Sequence, residues 1–234
     1  MIRASVIVFP GSNCDRDVKV AIERITGHAP RMVWHGDAEV PASDFIVLPG
    51  GFSYGDYLRC GAMAAHSRIM KDVIAKAKAG TPVLGICNGF QILTESGLLP
   101  GALMRNRSLK FICRDVHLRI DGHETFFTST YRCGEVVKVP IAHAEGNYFA
   151  DEHTIARIEG EGQVVARYCT PDGRITDDAN PNGAMNNIAG ISDETGRIVG
   201  MMPHPERLYE NALGGTDGRR VFESAMVGIA AAMG

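Results

Sequence analysis

With 234 residues, 45% hydrophobic and 22% charged, the chain is long enough to bury a sizeable core in one large α/β domain. A formal net charge of −3, with Lys and Arg scattered and no basic run, argues against nucleic acid or an anionic membrane surface as a partner. Six cysteines stand at 14, 60, 87, 113, 133 and 169. The nearest two are 20 positions apart, so there is no Cys-x-x-Cys metal or redox motif and no disulfide framework. That spacing predicts reduced thiols in a cytoplasmic protein and no metal site. The N-terminus shows no charged leader followed by a long apolar stretch. The longest small-and-apolar run, Ala225 to Gly234, falls short of the roughly 20 residues that span a bilayer.

Ala4 to Phe9 is a β-branched apolar run ending at Pro10-Gly11, which predicts a buried first strand. Ser12 or Asn13 is positioned to cap a helix whose apolar stripe is Val18, Ala21, Ile22 and Ile25, stopped by Gly27. Arg31 to His35 and Asp44 to Leu48 read as strands, the latter breaking at Pro49-Gly50-Gly51. A helix over Ser67 to Ala79 buries Ile69, Met70, Val73, Ile74 and Ala77 and ends at Gly80. Pro82 to Ile86 is a strand and Asn88 to Ser96 a helix. Strands alternating with amphipathic helices predict βαβ units and a mostly parallel sheet, with sites at the carboxyl ends of its strands.

From Phe111 the texture changes. Strands are predicted over Phe111 to Ile120, Glu135 to Ala142, Gln163 to Tyr168, Asn187 to Asp193 and Arg197 to Met202, joined by Gly-, Asn-, Asp- and Pro-bearing connections. Asp193 to Gly196 suits a tight turn between the last two. A helix over Gly218 to Met233 closes the chain. With no linker, repeat or low-complexity stretch, the expectation is one domain over 1–234: a flavodoxin-like three-layer α/β fold, with a mixed, mostly parallel central sheet and antiparallel strands in its second half.

The chemistry centres on Gly85-Ile-Cys-Asn-Gly89. A strand turning sharply into a helix at Cys87, with glycine at i−2 and i+2, is the layout of a nucleophile elbow. Flanking side chains would strike neighbouring backbone there. The thiol is exposed at the positive end of a helix, where negative charge is favoured. Most free cysteines are inert core filler, and this pattern alone leaves the two readings about even. Met202-Pro-His-Pro-Glu206, directly after a predicted strand, supplies what a nucleophile needs. His204 would be the base and Glu206 its orienting acceptor, placed on the same side by an extended backbone. An oxyanion hole would use Asn88 N–H and an amide of the Gly-Gly strand end, Gly51 or Gly50.

Cys87, His204 and Glu206, in this order after a Gly-Gly strand end, resemble the triad glutamine amidotransferases. Longer stretches extend the resemblance over essentially the whole chain. They are Pro10 to Asp15, Leu48 to Arg59, Gly85 to Leu93, Ile141 to Gly146, Asn180 to Gly183, Asn187 to Ile191 and Met202 to Arg207. They are similar to the small separate-chain glutaminase subunits of the synthase that converts formylglycinamide ribonucleotide to formylglycinamidine ribonucleotide in purine synthesis. Cys60 departs from the alanine expected there.

The resemblance implies that Cys87 attacks the side-chain amide of L-glutamine to form a γ-glutamyl thioester, and that Gln91 helps hold the substrate. It implies a separate ATP-dependent synthetase subunit that takes up the ammonia, and a small bridging subunit. No nucleotide cradle occurs in this chain; no cofactor is expected in it, and ATP and magnesium are expected on the synthetase. Phe52, Tyr54, Asp56 and Arg59, beside the oxyanion strand, are the candidate partner contacts. His143 and Glu145 read as structural or interface residues. Two other readings are a cysteine hydrolase or thioesterase on a similar sheet, and a non-catalytic scaffold. The scaffold would usually have lost the cysteine or the histidine.

Overall fold

The computed structural model describes residues 2–57, 59–122 and 124–233. The parallel half is built from β1 (Ala4–Val8), β2 (Arg31–Trp34), β3 (Phe45–Leu48) and β4 (Val83–Ile86). Strands β3 and β4 are buried at every residue, the continuous apolar run of strands covered on both faces. The connecting helices are α1 (Asp15–Thr26), α2 (Ala62–Ala65), α3 (Arg68–Lys78) and α4 (Asn88–Glu95). α1 buries Val18, Ala21, Ile22 and Ile25, the predicted stripe, and Gly27 closes it in the left-handed conformation. The predicted cap is different. Cys14 precedes the helix without a side-chain cap, and the Ser12 hydroxyl instead accepts the Phe9 N–H at 3.2 Å within the preceding turn. Asp15 and Asp17 place negative charge in the first turn.

The second half adds β5 (Ala102–Met104), β6 (Ile112–Ile120), β7 (Val136–His143), β8 (Asn147–Phe149), β9 (Val164–Cys169), β10 (Ile188–Ser192) and β11 (Ile198–Met201). It also holds α5 (Glu152–Gly160) and the closing helix α6 (Arg219–Met233). Among the described residues the main sheet has nine strands in the order β2-β1-β3-β4-β11-β10-β9-β6-β7. The first five run parallel, in the order of a flavodoxin-like sheet. Strands β10, β9, β6 and β7 extend it by antiparallel pairing. β5 and β8 form a separate pair.

The last strand of the parallel set, β11, therefore returns from the antiparallel half to lie against β4. Ile86 pairs with Met201, and the Cys87 N–H donates to Met201 O at 2.7 Å. This register sets the elbow after β4 beside the segment after β11. The turn between β10 and β11 is the predicted one: Gly196 N–H donates to Asp193 O, and Asp193 Oδ1 accepts from the amides of Arg197 and Ile198. Among the described residues no helix is long and apolar enough to cross a membrane.

Candidate active site

Cys87 stands between β4 and α4 with φ 52° and ψ −106°, a strained conformation for a residue with a side chain. Its neighbours hold it there. A β-carbon on Gly89 would come within 1.9 Å of Leu48 O, and one on Gly85 within 2.7 Å of the Gly89 backbone. Glycine at both positions lets α4 lie directly on β3 and β4. The Cys87 thiol, expected at an exposed position, is instead buried, its sulfur 3.7 Å from the carbonyl oxygen of Ala142 at the end of β7.

His204 follows β11, and its N–H donates to Pro140 O at 2.8 Å. Its Nδ1–H donates to Glu206 Oε1 at 2.6 Å, with both residues buried. The pairing arises differently from the extended-chain expectation. Pro205–Arg207 form one turn of 3₁₀ helix, with Pro205 at its tolerated first position, and the turn folds the carboxylate back onto the ring. Burial works to strip the proton from His204. The Glu206 carboxylate, Cys87, and hydrogen bonds with the Cys14 and Cys87 sulfurs outweigh it, and the ring is held protonated well above its ordinary range. His204 and Cys87 meet across Gly50: a β-carbon there would lie 2.8 Å from His204 Cε1 and 3.4 Å from Cys87 Cβ. Gly50 is thus a space the base and nucleophile require.

The two predicted oxyanion donors lie at strand and helix ends. Asn88 is the first residue of α4, where an amide has no partner within the helix. Gly51, at φ 144°, packs onto the Gly11–Asn13 turn. The Asn88 side chain ties the region together, accepting Ser53 N–H at 3.2 Å and donating to Gln91 Oε1 at 2.8 Å. Gln91 is buried, and its Nε2 donates to Glu145 O at 2.6 Å. Both ends of its amide are therefore engaged by protein.

The four candidate partner contacts divide. Phe52 and Arg59 are exposed, although Arg59 is paired with Glu95. Tyr54 turns inward, its hydroxyl 2.5 Å from His35 Nδ1, and Asp56 is half-buried, its carboxyl raised by desolvation. Leu58, within the same stretch, lies outside the described residues. The Phe52 ring lies 6.4 Å from exposed Phe111, so the apolar surface beside the site continues into the second half.

Several residues of the singled-out stretches, none of them given a catalytic role from sequence, also pack at the site. Cys14 packs at Gly50, 3.2 Å from its would-be β-carbon, and Arg207 Nη2–H donates to the Cys14 sulfur at 2.9 Å. His143 is buried, and burial, with the charge of His204, lowers it to about 3. Asn182 Nδ2 donates to His143 Nε2 at 3.1 Å and to Gly146 O at 2.7 Å. That bond leaves the ring's single proton on Nδ1.

Set against known proteins, residues 1–216 match the CobB/CobQ-like glutamine amidotransferase domain. The phosphoribosylformylglycinamidine synthase subunit PurQ of Novosphingobium aromaticivorans is 55% identical over 227 residues, 97% of each chain. That of Rhizobium etli is 54% identical over 230 residues, covering 98% of this chain and all of the other. A chain in the structure of PurLQS from Thermotoga maritima superposes with a TM-score of 0.85 at 44% identity, covering 97% of this chain and 98% of that one. The chain belongs to the CobB/CobQ-like glutamine amidotransferase family, among the PurQ subunits of phosphoribosylformylglycinamidine synthase.

Proposed function

We propose that this chain is the glutaminase subunit of a phosphoribosylformylglycinamidine synthase, hydrolysing L-glutamine and passing ammonia to a synthetase partner. The observation that carries the reading is Cys87 in its strained elbow beside the buried His204–Glu206 pair, in a chain more than half identical to PurQ subunits.

The Cys87 sulfur attacks the side-chain carbonyl carbon of glutamine. The oxygen that becomes negative is met by the amides of Asn88 and Gly51, aimed before the charge develops. His204, protonated at rest, gives its proton to the departing nitrogen, and ammonia leaves. The γ-glutamyl thioester remains on Cys87. His204, now neutral, takes a proton from water as that water attacks the thioester, and glutamate is released. Glu206 fixes the ring's orientation and offsets its charge throughout. A larger ATP-dependent synthetase and a small bridging subunit complete the assembly, ATP and magnesium belonging to the synthetase. A cytoplasmic location fits this role.

The test is mass spectrometry after incubation with a glutamine-mimicking electrophile. A single adduct on Cys87, lost in Cys87→Ala, is expected. Labelling of another cysteine in place of Cys87 overturns the reading.

A further inference from the structure

One thiol at the site takes no part in the steps above. Cys14 Sγ lies within 4.8 Å of a ring nitrogen of His204, and both residues are buried. Glu206 takes the Nδ1–H of that ring, so the proton that the Cys14 and Cys87 sulfurs share is the one on Nε2. It is divided between the two sulfurs and aligned with neither. The three side chains close around the face of Gly50. A β-carbon there would stand 2.8 Å from His204 Cε1, 3.2 Å from Cys14 Sγ and 3.4 Å from Cys87 Cβ. Cys14 is itself held in place. Arg207 Nη2–H donates to its sulfur at 2.9 Å, Asp17 accepts from Arg207 Nε at 3.3 Å, and the thiol lies 3.5 Å from Asn13 Oδ1.

We infer that Cys14 is a positioning residue for His204: a second sulfur, anchored by Arg207, that keeps Nε2 aimed at the reaction centre while Cys87 is acylated. The outer torsion of a histidine is soft, and one bond at Nδ1 leaves the ring free to rock about it. In the resting site two sulfurs steady the other nitrogen. Once Cys87 carries the γ-glutamyl group its sulfur is bonded to a carbonyl carbon and accepts poorly, and Cys14 alone remains opposite Nε2. A thiol is both a weak acceptor and a weak donor, so it follows the ring through both protonation states. Its sulfur accepts from the charged ring, and its S–H turns from Asn13 to the neutral one. That weak contact gives way to the attacking water. The water oxygen bonds to the thioester carbon, its proton passes to Nε2, and the C–S bond breaks with its electron pair on the Cys87 sulfur. The new carboxyl sheds its proton to solvent. Cys14 touches none of the reacting atoms. The inference rests on the glutaminase reading given above.

The complex assembled with its synthetase and bridging subunits is mixed with glutamine and quenched, and intact mass spectrometry follows the thioester on Cys87. Cys14→Ala is expected to slow thioester hydrolysis about tenfold, with the thioester accumulating and KM falling along with kcat. A merely structural loss lowers the active fraction and leaves KM where it was. Cys14→Ser keeps a donor and an acceptor and is expected to stay within about threefold of wild type. Arg207→Met leaves the sulfur in place but unanchored. It is expected to slow the same step about threefold, an effect absent in the Cys14→Ala background. Hydrolysis within about twofold of wild type in Cys14→Ala, equal slowing in Cys14→Ser, or additive Cys14 and Arg207 effects overturn the proposal. If Cys14→Ala does not fold, Arg207→Met decides alone, and unchanged hydrolysis overturns it. If wild type forms neither thioester nor glutamate, the glutaminase reading has failed, and the ring is read directly. Nitrogen-15 NMR of the histidine-labelled full chain is expected to show His204 losing its Nε2 proton about half to one pH unit lower in Cys14→Ala. An unchanged midpoint overturns the role of Cys14.

Discussion

His204 stands under opposed electrostatic demands. Burial disfavours its charged form, and Glu206 with the nearby sulfurs reverses the balance. The sign of the consequence follows from linkage. A histidine whose folded pKa exceeds its unfolded value of about 6.5 stabilises the fold fully below that value, and the contribution is lost as pH rises through the folded one. Glu206→Gln removes the opposing charge. The stability gap between wild type and variant is expected to be widest near pH 6 and to shrink toward alkaline pH. The turnover number is expected to fall about 10²–10⁴-fold, since the ring loses its orienting partner. Thermal unfolding across pH and steady-state kinetics read the two effects; a gap that widens on the alkaline side contradicts the charge assignment.

Among elements, the elbow is the part most constrained. Alanine normally favours a helix over glycine by about 1 kcal/mol. Gly89→Ala in α4 reverses that preference, because its β-carbon meets the Leu48 carbonyl, which is backbone of β3 and cannot rotate away. A loss of about 1–3 kcal/mol is expected, measurable as a lowered denaturation midpoint, together with reduced glutaminase activity. A variant as stable as wild type would mean that α4 does not rest on β3.

The elbow and the parallel strands were legible because their signals are local: a buried apolar run, then glycine at fixed offsets. Strands β5 and β8, three residues each, are too short to show a period. Helix α5 did leave a mark that sequence reading missed, an Asp151 cap accepting Thr154 N–H with Ile155 and Ile158 buried one turn apart. The His204–Glu206 pair was legible, but its 3₁₀ turn was not, since prolines flanking a histidine also fit an extended chain. Cys14 and Arg207 stand 193 positions apart, and only the folded sheet brings them together.

At the scale of the whole molecule the reacting side chains are withdrawn from solvent. Cys87 is 4% exposed and His204 1%, so access for glutamine is expected to depend on the segment packed beside them. The stretch after Gly51 is suited to that: Tyr54 and Asp56 both sit at positive φ, and Ser53 is tied to Asn88 beside the nucleophile. Isolated chain is expected to hydrolyse glutamine poorly and to be stimulated when the synthetase and bridging subunits assemble. Glutaminase assays with and without partners decide it, and equal rates would remove this stretch from any role in activation.

The hydrogen bond from the Cys87 amide to Met201 sets a boundary on what such activation can change. It fastens the attacking group to the end of β11, three residues before the proton carrier, whose own amide is tied to Pro140 on β7. Neither can be withdrawn without unzipping the middle of the protein, which is among the last places to open. Activation by assembly is therefore expected to act on admission to the reaction centre and to leave its wiring untouched.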